Sequence, residues 1–172
     1  MQIKNNNYLK KVLLTSYPFC VKNQTPLNLA KKNKLQIIGP ALKEKRKLTK
    51  SEILNYIESA DAIIAGTEKY DAEILKAAKN LKIISRLGIG LDNIDFSETN
   101  LRNIAVAYTP DAPSNAVAEL TIGLIICAAR RILNVDIDLR NNNWNRFVGL
   151  DISEKKIGII GLGRIGKLLV KL

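Results

Sequence analysis

Three glycines near the end of the chain carry its plainest chemistry. They stand in the run Gly161-Leu162-Gly163-Arg164-Ile165-Gly166, a Gly-x-Gly-x-x-Gly pattern. Such a pattern works through the main chain. Gly161 allows a tight turn, Gly163 has no Cβ to keep a pyrophosphate away from the backbone, and Gly166 lets a helix lie close to the preceding segment. The free N–H groups and positive dipole end of that helix then hold phosphates. Context decides whether the pattern means this. The apolar stretch 156–160 is expected to be a buried parallel strand, and residues 167–172 a helix, which is the setting that a dinucleotide-binding turn requires. The same glycines would also serve a strand-to-helix turn with no ligand. The acid that usually completes the fingerprint is expected about 20 residues further on, past Leu172.

Other chemistries are thinly represented. There is no histidine, so the commonest general acid–base residue and imidazole metal ligands are both absent. No cluster of acids replaces them, and no metal is expected. The two cysteines, Cys20 and Cys127, have no metal-ligand spacing and read as reduced thiols of a cytoplasmic protein. The net charge of +11 is spread along the chain and is densest over residues 42–50. That stretch reads as a solvated loop. No helix-turn-helix, aromatic platform or zinc pattern accompanies the charge, so nucleic acid is not an expected partner. A basic field does attract anions such as a dinucleotide or a small carboxylate. No apolar run reaches the about 18 residues of a membrane span. The opening Met1-Gln2-Ile3-Lys4-Asn5-Asn6-Asn7 has no apolar segment of signal-peptide type.

The elements that must position these groups alternate. Strands are expected at 11–15, 35–38, 61–65, 82–85 and 104–107. Helices are expected at 26–32, from Thr49 or Ser51 through Ala60, from a cap at Asp71 through Lys79, and at 96–101. Alternation of this kind favours a parallel sheet covered by helices, an α/β fold. The turn-rich segment Thr109-Pro110-Asp111-Ala112-Pro113 reads as a domain boundary. Beyond it, residues 115–131 form a long helix that is apolar nearly all round, with Ala118, Gly123, Ala128 and Ala129 small enough for close approach. A helix of that kind must be buried, in a core or between domains or subunits. A second helix is expected over 133–147, with Trp144 and Phe147 packing.

Several segments together resemble the D-isomer-specific 2-hydroxyacid dehydrogenases, the family that includes 3-phosphoglycerate dehydrogenase. They are Gly66-Thr67-Glu68 after the third strand, the run from Arg86 through Gly88-Ile89-Gly90 to Asp95 after the fourth, Ala116-Val117-Ala118-Glu119 in the long helix, and the glycine fingerprint. The resemblance covers residues 11–172. It implies a flavodoxin-like parallel-sheet substrate domain, residues 1–107, and the start of a Rossmann dinucleotide-binding domain, residues 108–172, with the active site in the cleft between the two. It also implies an NAD-dependent enzyme moving a hydride to or from C2 of a small 2-hydroxy or 2-keto acid, with NADP as the alternative cofactor. A homodimer through the 115–131 helix is implied too.

By that resemblance, the N–H groups of Gly88-Ile89-Gly90 hold the substrate carboxylate, and Ile89 also touches the cofactor. Gly161, Gly163, Arg164, Ile165 and Gly166 meet the pyrophosphate. Two glycines suit a carboxylate, which needs close main-chain approach and gains charge-assisted bonds. Asp92, Asn93 and Asp95 are expected to cap the next short helix, and Glu119 to bond near the start of its own helix. The family's catalytic arginine, glutamate and histidine lie beyond the fingerprint, so none is assigned here, and this chain alone is expected to be inactive with only weak dinucleotide affinity. The family's returning C-terminal helix has no counterpart either. Ala65 and Gly66 stand where phosphoglycerate dehydrogenases generally carry a phosphate-gripping arginine, and Pro113 where some members carry an asparagine. These departures favour another acid, with Lys69 the alternative source of the missing charge. The rival reading is a truncated, non-catalytic module that dimerises.

Overall fold

The computed structural model describes residues 10–17 and 19–172, so the reading of the first seven residues lies outside the described part. Five strands form one parallel sheet. They are β1 (Lys11–Leu14), β2 (Gln36–Ile38), β3 (Ala62–Ala65), β4 (Ile83–Arg86) and β5 (Ala105–Tyr108). Their order is β2-β1-β3-β4-β5, every pair parallel. This is the flavodoxin-like order, in which ligand sites gather outside the carboxyl ends of the strands.

Helices make the crossovers. They are α1 (Thr25–Lys32), α2 (Ala41–Glu44), α3 (Lys50–Ile57), α4 (Ala72–Ala77) and α5 (Phe96–Leu101). Local chemistry starts them where expected. Thr49 forms a capping box with Glu52 on α3, Asp71 accepts from the Ile74 N–H on α4, and Asp95 accepts from the Glu98 N–H on α5. The expected loop at 42–50 begins instead with the short helix α2, set just after Pro40.

The core lies between α3, α4 and one face of the sheet. Leu13, Ile63 and Ile84 from the central strands meet Ile53, Ile57, Ile74 and Leu75 from the helices, and none of them is more than marginally exposed. Along β4 exposure alternates, with Ile84 and Arg86 turned inward and Ile83 and Ser85 outward. Part of the second face is open. Val12, Ile37 and Ile64 floor an apolar groove of about 400 Å³ walled by Leu29 and Ala30 of α1, whereas parallel sheets are ordinarily covered on both faces.

The chain divides into two compact units, Met1–Pro110 and Asp111–Leu172. The second holds α6 (Ser114–Ala129), α7 (Ile132–Arg140) and α8 (Arg164–Lys171), with α6 packed on α8. Three expectations fail here. Residues 156–160 are not a buried strand, and Ile157 and Ile160 are exposed. A strand needs a neighbour to take its N–H and C=O groups, and among the described residues the second unit offers none. The second helix stops at Arg140 rather than 147. Asn142 turns left-handed, and Asp138 takes the N–H and side-chain amide of Asn145 at 2.9 and 3.0 Å, folding the chain back. Trp144 is therefore 84% exposed and packs no core.

Candidate functional site

The carboxyl ends of β1, β3 and β4 come together around a cavity of about 340 Å³, bordered by Ser16, Lys47, Gly66, Glu68, Arg86 and Leu87 among others. Thr15, after β1, and Glu68 and Tyr70, after β3, tie the ends of those two strands together. Thr15 Oγ1 donates to Glu68 Oε2 at 3.0 Å and lies 2.7 Å from the Tyr70 hydroxyl. The Gly66 N–H donates back to Thr15 Oγ1 at 3.2 Å. Glu68 and Tyr70 are both buried. Gly66 makes room for the carboxylate, since a Cβ there would sit 2.6 Å from Glu68 Oε2.

Burial first, and then the adjacent Glu68 carboxylate, push the Tyr70 phenol above its ordinary value of 10.0, against the opposing hydrogen bond with Thr15. A folded-state value raised above the unfolded one leaves stability intact below the unfolded value. That stability is lost as pH climbs from about 10 toward the folded value. The expected result is alkaline unfolding that moves to higher pH in Tyr70→Phe. Circular dichroism followed from about pH 8 upward checks this, and parallel base titrations of the two proteins would contradict it.

Arg86 ends β4 and is also buried, at 9% exposure. Its Nη1 donates to the Leu87 carbonyl, while its Nε has no partner. Gly88 follows with φ +143, and a Cβ there would stand 2.5 Å from Arg86 Nη1. Gly88 is also clamped to Thr109. Its N–H donates to Thr109 Oγ1 at 2.9 Å, and the Thr109 N–H donates to its carbonyl at 3.1 Å. The Gly88 N–H is thus engaged rather than free for a carboxylate. The N–H groups of Ile89 and Gly90 make no hydrogen bond among the described residues.

The neighbouring loop is held differently from expectation. Asp95 caps α5, but the Asn93 amide instead donates to the Gly66 and Glu68 carbonyls at 3.1 and 2.6 Å. It thereby staples the turn after β3 to the turn after β4. Lys69 is exposed and does not line the strand-end cavity. Sequence reasoning missed the Thr15–Glu68–Tyr70 network altogether. Its only local signal was a glutamate set among polar residues at a strand end.

In the second unit, Gly161 has φ +95, Gly163 is the N-cap of α8, and Arg164 and Ile165 begin that helix. No side chain caps it and no acid stands in its first turn. Gly166 is buried and packs so closely that a Cβ would collide with the Gly161 carbonyl. Arg164 pairs with Asp111 at 2.7 Å across two exposed side chains. Glu119 is exposed and, among the described residues, bonds to nothing near its helix start. It lies in the second turn of α6, where the main-chain N–H groups already have helical partners. Both cysteines are free. Among the described residues no group of acids and cysteines could hold a metal ion, and no helix is long and apolar enough to cross a membrane.

Fold and strand-end pocket define an α/β protein of flavodoxin-like order followed by a glycine-rich helix start. Residues 19–161 match the family described as D-isomer specific 2-hydroxyacid dehydrogenase, catalytic domain. The chain belongs to that family. It is 43% identical over 128 residues to a D-3-phosphoglycerate dehydrogenase of Methanocaldococcus jannaschii, covering 72% of this chain and 24% of that enzyme. It is 41% identical over 125 residues to a glyoxylate reductase of Thermofilum pendens, covering 69% and 37%. The structure of an NAD+-bound 3-phosphoglycerate dehydrogenase from Entamoeba histolytica superposes with a TM-score of 0.75 at 30% identity, covering 95% of this chain and 50% of that one. The chain thus spans less than half the length of the curated relatives it matches.

Proposed function

We propose that the chain is the N-terminal part of an NAD-dependent oxidoreductase acting on a small D-2-hydroxy or 2-keto acid. Residues 1–107 are the main part of its substrate domain and 108–172 the start of its nucleotide domain. The observation that carries this reading is the end of β4. There the N–H groups of Ile89 and Gly90 have no hydrogen-bond partner among the described residues. Those groups bind and orient a carboxylate, and charge-assisted bonds of this kind are the strong ones. The α8 start fits a pyrophosphate, because Gly161 and Gly163 have open space around them and no side chain occupies the helix N-terminus. Gly161, Gly163, Arg164, Ile165 and Gly166 would hold it, with Ile89 against the nicotinamide half. When bound, the nicotinamide supplies or takes the hydride. NADP remains the alternative.

The chain by itself is inactive in this reading, since it holds no histidine and none of the family's catalytic trio. Two assays test it together. NADH oxidation is measured with a panel of 2-keto acids, first for the 172-residue chain, then for the protein extended along its own reading frame. Turnover only in the second is expected. Turnover by the first overturns the inactivity, and an extended protein that neither binds nor oxidises NADH overturns the enzyme.

A second reading, a dimerising non-catalytic module, draws on the second unit. Leu120 and Leu124 of α6 and Leu133 and Ile137 of α7 are all well exposed in the chain, an apolar display that marks an interaction face. Sedimentation of the chain at high concentration is expected to give a homodimer that Leu124→Glu dissociates. A clean monomer would remove the dimer from either reading.

A further inference from the structure

The Gly88 carbonyl takes two hydrogen bonds from one residue. The Thr109 N–H donates to it at 3.1 Å and the Thr109 hydroxyl at 3.2 Å. The same hydroxyl oxygen accepts the Gly88 N–H at 2.9 Å, an N–H that also reaches the Arg86 carbonyl at 3.0 Å. Thr109 follows directly on β5. One residue before Gly88, the Leu87 N–H still donates to Ala65 at the end of β3, at 2.9 Å. One residue after it, the Ile89 N–H has no partner among the described residues. Gly88 is thus the point at which this segment leaves the sheet, and Thr109 is what holds it there.

The direction of that carbonyl fixes the direction of the next N–H. A trans peptide is planar, and its C=O and N–H point opposite ways. The Gly88–Ile89 peptide is trans. With the Gly88 carbonyl turned onto Thr109, the Ile89 N–H must point away from Thr109, into the loop. Gly88 has no side chain of its own to set this plane, and its φ of +143 lies where few residues with side chains go. Swung the other way, the plane would offer a carbonyl oxygen where a carboxylate needs a donor.

We infer that Thr109 is a positioning residue for the carboxylate loop: it holds the Gly88 carbonyl and so aims the Ile89 N–H at the bound acid. This rests on the reading of Ile89 and Gly90 as the carboxylate site. Thr109 touches no substrate in this account. It acts beforehand, because a loop already oriented loses less freedom when the acid arrives, and affinity rises accordingly.

The test compares two variants with the unaltered 172-residue chain. Thr109→Val keeps the shape and the main-chain N–H but removes the hydroxyl, and it suits the edge of the apolar groove that Thr109 borders. Thr109→Ser keeps the hydroxyl. Pyruvate is titrated into all three, with amide NMR following Ile89 and Gly90 and urea unfolding measured alongside. Thr109→Val is expected to weaken pyruvate about fivefold, the ordinary worth of one neutral hydrogen bond, and to shift the Ile89 amide signal before any ligand is added. Thr109→Ser should bind pyruvate as the unaltered chain does. Thr109 is exposed; if Thr109→Val nonetheless fails to fold, Thr109→Ala removes the same hydroxyl and carries the comparison. A residue of structural role alone would lower the urea midpoint of Thr109→Val and leave the affinity of the folded chain unchanged, and that result overturns the inference while the carboxylate site stands. Equal weakening by valine and serine does the same. Absence of pyruvate binding in the unaltered chain removes the carboxylate site and this inference with it.

Discussion

Gly88→Ala is expected to destabilise the first unit by about 2 kcal/mol and to abolish carboxylate binding. Two costs meet at one atom. The backbone at Gly88 sits at φ +143, where a side chain is strained whatever the space around it. The added Cβ would also stand 2.5 Å from Arg86 Nη1 and 3.0 Å from Nη2. Arg86 is buried, at 9% exposure, so its guanidinium has little room into which to swing. Relieving the clash must move either Arg86 or the Gly88–Thr109 clamp, and both flank the loop proposed to hold the carboxylate. Urea unfolding together with a pyruvate titration measures the two effects. A stability loss under about 0.5 kcal/mol with pyruvate binding unchanged would show that the loop has room to relax.

Ile63→Ala should cost more stability, about 3 to 4 kcal/mol. Ile63 has 0% exposure and lies mid-strand in β3, paired with Leu13 on one side and Ile84 on the other. Truncation leaves a cavity between the central strands and the α3–α4 layer that rigid sheet hydrogen bonding keeps from collapsing. That loss is a large share of the about 5 to 15 kcal/mol that holds a domain folded. The functional consequence follows from place. β3 ends at Ala65 and leads directly into Gly66 and the Glu68 turn. Chemical denaturation against Leu120→Ala, whose side chain is 61% exposed, checks the contrast. Equal losses for the two would mean the sheet core is not where stability resides.

The first unit was largely legible from sequence. Its strands are short apolar runs between turn signals, and the caps Thr49, Asp71 and Asp95 are local chemistry that acts within three residues. The five-strand alternation could be read because each strand is a short apolar run and each crossover between them carries a helix. The second unit was less legible, and for one reason. Whether 156–160 pairs as a strand depends on neighbours, not on its own apolar residues. Residues 133–147 carry helix-compatible periodicity, but the turn at Asn142 is set by Asp138 reaching Asn145, a contact no periodicity reports. At the end of β4, Gly88, Ile89 and Gly90 were singled out by their resemblance to a family loop. The Gly88 N–H turned out to be spent on Thr109, 21 residues on. The Thr15–Glu68 bond spans 53 residues. Pairing at that range leaves no mark in local pattern, so the buried carboxylate beneath the site was invisible until the strand ends were brought together.

The outer strand β2 has a further consequence for how the protein fares when crowded. It is only three residues long, it pairs on one side only, with β1, and the exposed Lys31, Lys32 and Lys34 stand just before it. A short edge beside clustered positive charge is a poor template for another chain's strand. Strand addition at this rim is thereby disfavoured, and the electrostatic share of that barrier weakens as salt shortens the screening length. Association through this edge is therefore expected to rise with salt concentration.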